Sequence, residues 1–355
     1  MSDRFIKPSA GFCALFFISV ISLIAPLKVF AHHGANNNPA MYLAENMVHL
    51  EGEISQVFWR NPHPRLMLTV VDSQGEEQEW ELELSGNINA YTQAGIGADL
   101  VAVGDSVKAA GVASRRDPFM IGLQNLLLPN GLELLARAST PALWSDEILD
   151  TTRRGPSAAE IRAAEASADG LFRVWGRRTG PRPSPSEYSH LFTDEGRRLA
   201  AEYDFAFDNP ELDCQSGLVS NMFDPTPMQI IDNGDQIVIY TEEYDLKRTV
   251  YMTDDHPEPV PSNLGFSTGY WDGDSLIVHT SLIDWANFDP YGTPQSLEMT
   301  YVETFWVAED DSRLNYRIVA NDPVYLTGAI ELERAWLWQP GTKMVEFDCA
   351  AEVSL

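Results

Sequence analysis

The sequence predicts an all-β protein in which a small OB-like barrel is followed by a larger antiparallel meander. Short segments of alternating apolar and polar residues recur between residues 48 and 349, and Gly, Asn and Asp separate them. Helical patterns are few and short. The chain of 355 residues is long enough for two domains, which we place at residues 32–138 and 171–355.

The first domain carries five strand-like segments and one helical segment. The strand-like segments are residues 48–58, 65–71, 77–84, 106–113 and 132–136. A short helix is predicted at residues 87–94, after the third strand. Five strands with a helix after the third is the layout of an OB-like barrel.

The second domain follows a linker at residues 139–170, in which the Ala-rich stretch 157–168 predicts a surface helix. Its predicted strands are residues 228–231, 236–242, 266–271, 275–281, 297–307, 314–320, 330–338 and 344–349. Asn233-Gly234-Asp235 and Asp272-Gly273-Asp274 are turn sequences between two pairs of them. Successive strands without intervening helices favour a meander, either a lipocalin-like barrel or a sandwich. A barrel would have an interior that holds a ligand.

Residues 1–31 have the three parts of a secretory signal peptide. Arg4 and Lys7 make the leader positive, residues 11–25 are apolar, and Ala31 ends a small-x-small exit. The apolar run is shorter than the roughly 20 residues of a spanning helix, so we expect cleavage after Ala31 rather than a retained membrane anchor. The mature protein is therefore expected to be periplasmic or secreted, without stable membrane insertion.

The mature chain is strongly acidic. The full sequence has 24 basic and 52 acidic side chains and a formal charge of −28. The leader removes three basic side chains and one acidic side chain, which leaves a charge of −30. Such a surface repels nucleic acid and anionic lipid, so we expect neither as a partner, and a small-molecule partner is compatible with it. The sequence indicates no oligomeric state.

Cys214 and Cys349 are the cysteines left after cleavage, because Cys13 leaves with the leader. In an exported protein an even pair predicts a disulfide, which here would enclose 134 residues. Two buried thiols are the alternative.

Three histidines predict a metal site if cleavage follows Ala31. His32 would then offer its α-amine and its imidazole as a chelate, and His33 or His63 would add a further imidazole. Nitrogen-rich coordination of this kind favours Cu(II), with Zn(II) as the second choice. The alternative is that the His-His pair is only tolerated after the cleavage site and that His63 is structural.

Strand parity puts two charged residues of the second domain on apolar faces. Glu303 lies on the face of Tyr301, and Arg334 lies on the face of Trp336. Buried charges need partners, so either the two pair with each other or they meet a ligand. The candidate ligand-binding set is Arg248, Tyr301, Glu303, Tyr316, Arg334 and Trp336. In a catalytic role, Glu303 would be a general acid or base and Arg334 would stabilise negative charge.

Two motifs, His32-His33-Gly34 and Trp59-Arg60-Asn61-Pro62-His63, resemble those of an uncharacterised exported bacterial family, domain-of-unknown-function family 6152. The resemblance covers about residues 32–137. The second domain is similar to an uncharacterised exported module at His256-Pro257, at residues 269–276 and at Glu303. That module usually has Arg after its Glu, where this chain has Thr304. Neither resemblance implies an activity.

The sequence thus predicts an exported binding protein that holds copper near its N-terminus and a small, partly apolar ligand in its second domain. An enzyme with its chemistry at Glu303 and a structural or interaction module are the alternatives. An open pocket at Glu303 would favour binding or catalysis, whereas a collapsed barrel core would favour the structural alternative.

Overall fold

The N-terminal part of the chain forms a closed ring of five strands. In a computed structural model, which describes residues 38–349 except residues 138, 150, 153, 181 and 225, these strands are β1 (Tyr42–Phe58), β2 (Arg65–Val71), β3 (Glu77–Glu83), β4 (Ser106–Ser114) and β5 (Met120–Leu127). They pair in the order β1-β2-β3-β5-β4 and back to β1, and only the β3–β5 pair is parallel. The helix α1 (Ile88–Ala94) connects β3 to β4. The OB-like barrel is therefore confirmed.

Apolar side chains fill this barrel, and one glycine lets two of its strands meet. Ile54, Leu68 and Ile121 are fully buried inside it. Gly52 of β1 is needed because a Cβ atom there would lie 2.2 Å from the Thr69 carbonyl oxygen of β2. The helix α1 begins at Asn87, whose side chain accepts a hydrogen bond from the Ala90 N–H group.

The strand that closes the ring, β5, is absent from the sequence prediction. Residues 132–136 were predicted to be the fifth strand, but they form the short β6 (Glu133–Leu135), which extends the sheet beyond β5 and is followed by β7 (Ile148–Leu149). Most residues of β5 are buried, so its sequence lacks the alternation that marks a half-buried strand. A strand covered on both faces gives no period-two signal.

The linker contains the predicted helix. The helix α2 (Ala158–Ala166) begins at Ser157, whose hydroxyl accepts from the Glu160 N–H group, while the Glu160 carboxylate accepts from the Ser157 N–H group. Lys343 contacts the same carboxylate at 2.5 Å. The domain limits at residues 138 and 170 stay a prediction, and all the described residues belong to one compact unit.

The second domain is one ten-stranded sheet. Its strands are β8 (Val174–Trp175), β9 (Arg178–Thr179), β10 (Met228–Asp232), β11 (Gln236–Thr241), β12 (Leu246–Tyr251), β13 (Phe266–Asp272), β14 (Ser275–Ser281), β15 (Thr300–Val307), β16 (Arg313–Asn321) and β17 (Ile330–Leu337). The strands β10 to β17 follow one another in chain order, with one parallel pair, β12–β13, and β8 and β9 form the two edges. Only Gly176 and Arg177 separate β8 from β9 in the chain; Gly176 donates a backbone hydrogen bond to Leu337 of β17, and Arg177 accepts one from it. This segment therefore connects β10 to β17 along a strongly curved sheet, which we call the half-barrel, and the predicted all-β meander is confirmed.

Four short helices lie between β9 and β10 in the chain: α3 (Pro185–Tyr188), α4 (Asp194–Glu202), α5 (Phe205–Asp208) and α6 (Leu218–Met222). Tyr188 of α3 belongs to the core of the half-barrel, whereas Ala206 of α5 packs against Tyr42 and Val112 of the N-terminal barrel. All residues of α6 are buried, and Leu218 and Met222 belong to the same core as Tyr316 and Trp336 of the sheet. The face that a ligand would occupy in a lipocalin-like barrel is filled by the protein itself.

The last described residues run between the two sheets. Residues 344–349 were predicted to form a strand, which is wrong, because their N–H groups bond to side chains instead of to a neighbouring strand. Val345 donates to the Glu242 carboxylate at 3.0 Å, and Phe347 donates to that of Asp245 at 2.9 Å. A single bridge joins Cys349 to Asn61 of the barrel. The predicted Cys214–Cys349 disulfide is confirmed, with Cα atoms 5.9 Å apart.

The predicted leader, residues 1–31, lies outside the described residues, as do His32 and His33. Among the residues that are described, no helix has the length and apolar character needed to cross a membrane.

Loss of the disulfide is expected to release the C-terminal segment first. In the Cys214→Ser, Cys349→Ser double variant, the free energy of unfolding should fall by about 2–5 kcal/mol, because the unfolded chain regains the freedom of a long loop. Hydrogen exchange should become faster at Val345 and Phe347 before it changes in β14 or β15. Unchanged exchange at these two amides would show that the disulfide does not hold the segment.

Candidate functional site

Glu303 lies on the concave face of β15, as strand parity predicts. Buried residues alternate with partly exposed ones along this strand, and Glu303 is fully buried between Tyr301 and Phe305. A carboxylate in such a place is stable only with a charged or hydrogen-bonding partner.

The partner is Arg248 of β12, and the two belong to a row of polar side chains that crosses five consecutive strands. Arg248 reaches Glu303 with both terminal nitrogens, at 2.5 and 3.0 Å. Tyr316 of β16 donates to the Glu303 Oε1 atom at 2.8 Å. Thr280 of β14 lies 3.4 Å from the Oε2 atom and 2.9 Å from the hydroxyl of Ser267 on β13. The carboxylate of Glu303 therefore lies within hydrogen-bonding distance of four donor atoms, which occupy its acceptor positions.

Arg334, which the sequence offered as the partner of Glu303, lies elsewhere. It is opposite Tyr316 in the register of β16 and β17, but its guanidinium group has other partners. It contacts Glu187 at 3.3 Å and lies 5.6 Å from the ring centre of the buried Phe223. The structure therefore has an Arg248–Glu303 pair in place of a Glu303–Arg334 bridge. Parity identified the face of each strand but not which charged side chains on that face meet.

The remaining members of the candidate ligand-binding set are packed in the core. Tyr301 donates to the Gln295 side chain at 2.5 Å, and Trp336 packs edge to face against Tyr316 with ring centres 5.5 Å apart. Burial and the charge of Glu303 raise the pKa of Tyr316 well above its usual range, so the hydroxyl remains a donor. Beside Arg248 the described residues leave a cavity of about 10 Å³, which is the size of one water molecule.

His63, the third predicted metal ligand, lies between β1 and β2, close to the second sheet. Its segment is fixed from both sides: Trp59 packs against Tyr91 with ring centres 5.6 Å apart, and the Asn61 side chain accepts from the Ile88 N–H group at 2.9 Å. The Trp59–His63 motif is therefore anchored on α1, which holds the imidazole of His63 at the surface of the barrel.

A buried carboxylate orients that imidazole. The Nδ1 atom of His63 is 2.5 Å from the Glu83 Oε1 atom, and Tyr42 donates to the Oε2 atom at 2.5 Å. Burial alone would raise the pKa of Glu83, but the hydrogen bond and the charge of His63, together with the bond from Tyr42, outweigh burial and lower it. Glu83 is 2 % exposed, whereas the side chain of His63 is 31 % exposed.

The structure describes His63 but neither of the two other predicted metal ligands. Among the residues that the structure describes, no group of three or more His, Cys, Asp or Glu side chains is arranged to hold a metal. A site at His63 would therefore need ligands from the segment before residue 38.

The sequence pattern did not indicate one acidic residue near His63. Glu243 lies in the connection between β11 and β12, and burial raises its pKa to about 7, although the charges of Arg182 and His63 oppose the shift. Arg182 also binds Asp224 and lies 3.6 Å from Glu211. The sequence does contain one signal, the run Glu242-Glu243-Tyr244-Asp245. Three carboxylates among four residues can be buried in a turn only if they have partners.

The closed ring and its oriented histidine define residues 42–127 as an OB-like module with a polar site on its surface. Residues 20–123 match the model of a family described as "Family of unknown function (DUF6152)", which confirms the family that the two motifs indicate. The match contains the Trp59–His63 motif and ends within β5. No curated protein matches the chain.

The position of Glu303 predicts unequal effects for the two arginines. Arg248→Met leaves a buried carboxylate without its cation and should lower the free energy of unfolding by about 3–5 kcal/mol, as should Glu303→Gln. Arg334→Met removes an ion pair with an exposed carboxylate and a ring contact, and should cost about 1–2 kcal/mol. Urea unfolding of the three variants measures this difference. Equal losses for Arg248→Met and Arg334→Met would contradict the assigned pairing.

Proposed function

We propose that this chain is an exported copper-binding protein, in which His63 binds the metal together with the mature N-terminus. The observation that carries the proposal is the contact of the His63 Nδ1 atom with the buried Glu83 carboxylate. Histidines that bind metals commonly donate their other ring N–H group to a carboxylate, which fixes the tautomer and the ring orientation. With Nδ1 committed to Glu83, Nε2 is the nitrogen through which His63 binds the metal.

The chain before residue 38 is long enough to reach this site. Tyr42, whose hydroxyl contacts Glu83, donates from its backbone to the Asn38 carbonyl oxygen at 2.9 Å. Asn38 is therefore about one tyrosine side chain away from the carboxylate. The six Cα–Cα steps from His32 to Asn38 span up to roughly 20 Å. Both the amine of His32 and the imidazole of His33 are within this reach.

The chemistry of the donors favours copper. An α-amine and two or three imidazoles form a nitrogen-rich set, which prefers Cu(II) and takes Zn(II) as the second choice. The carboxylate of Glu83, whose pKa is lowered by His63 and Tyr42, supplies negative charge near the cation. The disulfide supports export, because such bonds persist in oxidising compartments. Binding should weaken in acid, since the amine and the imidazoles must lose their protons.

For the half-barrel we propose a structural role of the Arg248–Glu303 pair rather than ligand binding or general acid–base catalysis. Every acceptor position of Glu303 meets a donor from the protein, and the neighbouring cavity has the volume of one water molecule. A substrate would have to break this network in order to reach the carboxylate. This packing favours the collapsed-core alternative.

Copper titration of protein exported with its own leader tests the proposal. Mass spectrometry should show His32 as the first residue, and calorimetry should show about one Cu(II) bound. His63→Gln should weaken binding strongly, and Glu83→Gln should weaken it about 10- to 100-fold, as expected for loss of the group that orients a ligand. His256→Gln, a partly exposed histidine of the second domain, is the matched control and should bind like the parent.

A form with an additional N-terminal Met separates the amine from the imidazoles. It should bind Cu(II) much more weakly, because the amine no longer belongs to His32. Equal affinity would exclude the amine, and unchanged affinity of His63→Gln with an unchanged melting temperature would refute the site. Tighter binding of Zn(II) than of Cu(II) would contradict the choice of metal.

A further inference from the structure

The half-barrel has an open groove at one end, distinct from its packed interior. The groove has a volume of about 530 Å³, and its lining residues include Phe172, Ile237, Met252 and Trp271. Trp271 is 44 % exposed, and its ring lies 6.1 Å from that of Phe172 in an edge-to-face arrangement. An exposed indole above an apolar floor is unusual on an acidic surface, and volumes of this size are typical of small-molecule sites.

The register of the sheet brings several acidic turns to this end. Gln236 is opposite Tyr251, Asp272 is opposite Ser275, and Leu276 is opposite Phe305. The β10–β11, β13–β14 and β15–β16 turns and the end of β12 therefore share one end of the sheet. The exposed carboxylates on these segments are Asp232, Asp235, Asp254, Asp255, Asp272, Asp274, Glu309, Asp310 and Asp311.

Two arginines lie at this end of the sheet beside the nine exposed carboxylates: Arg173 and Arg313, the first residue of β16. Arg173, the residue after Phe172, lies between the rings of Trp175 and Trp338 and binds Asp311 at 3.0 Å. Its charge is thus paired with one of the exposed carboxylates at this end of the sheet, which together we call the acidic rim. Asp232 both lines the groove and belongs to the acidic rim. The rim consequently carries an excess of negative charge beside an aromatic surface.

We infer that this groove binds a small organic cation with an apolar body, such as an aryl-alkylammonium ion. The apolar body would cover Ile237 and Met252, and the ammonium group would lie near the Trp271 ring and the Asp232 carboxylate. A cation over an indole is attracted by the negative face of the ring, and a nearby carboxylate adds a charge-assisted hydrogen bond. An anion of the same shape would be repelled. This site is independent of the proposed metal site at His63.

Three probes of similar shape and different charge test the inference: phenethylammonium, 2-phenylethanol and 3-phenylpropionate. Calorimetry or ligand-observed NMR should show phenethylammonium binding at least tenfold more tightly than the alcohol, and no binding of the carboxylate. Higher salt should weaken binding of the cation, because the rim charges become screened. Equal binding of the three probes, or no binding of phenethylammonium, would overturn the assignment.

Matched variants locate the binding. Trp271→Ala and Asp232→Asn should each reduce the affinity for phenethylammonium about tenfold. Trp144→Ala and Glu45→Gln remove an indole and a carboxylate charge far from the groove in the sequence and should leave the affinity unchanged. Circular dichroism melts establish that each variant is folded. Equal losses in the Trp271→Ala and Trp144→Ala variants would show that the cation binds to the acidic surface in general.

Discussion

The ion pair between Arg248 and Glu303 is the interaction on which the shape of the half-barrel depends. The two residues lie on β12 and β15, three strands apart in the sheet. In a flat sheet three steps would separate their backbones by about 14 Å, yet their side chains meet at 2.5 Å. The contact is possible because the sheet curves toward its concave face. Since an unpaired buried carboxylate is costly, the pair in turn favours the curved arrangement over a flat one.

The connection between β11 and β12 links this sheet to the OB-like barrel. Glu242 accepts hydrogen bonds from Asn89 of α1 and from Val345 of the C-terminal segment, at 3.3 and 3.0 Å. The next residue, Glu243, lies close enough to His63 for the charge of His63 to lower its pKa. The same short connection therefore fixes the C-terminal segment and contributes charge beside the proposed metal ligand. A change in the C-terminal segment is therefore expected to alter the surroundings of His63, and the reverse.

The sequence predicted what depends on local pattern and missed what depends on curvature. Alternation identified the buried face of β15 and placed Glu303 on it correctly. Pairing with Arg334 was one of two alternatives, and Arg248 was only a further member of the candidate set, because parity reports the face of a strand and not the distance across a bent sheet. The strand β5 was missed because burial on both faces removes alternation. Glu243 was missed because its burial comes from a contact between segments that are far apart in sequence, whereas the motif at His63 was visible as a local run of residues.

Net charge alone does not define either proposed site. A chain with 52 acidic and 24 basic side chains attracts every cation to its surface. That attraction is screened by salt and does not distinguish one carboxylate from another. A specific site needs a feature that long-range charge lacks. At His63 this feature is a ring nitrogen oriented by a buried carboxylate, which would select a metal that prefers nitrogen donors. At the groove it is the exposed indole of Trp271, which would select cations with an apolar body over hydrated metal ions. On these two proposals, the acidic surface attracts cations of both kinds, and the two local geometries determine which kind each site binds.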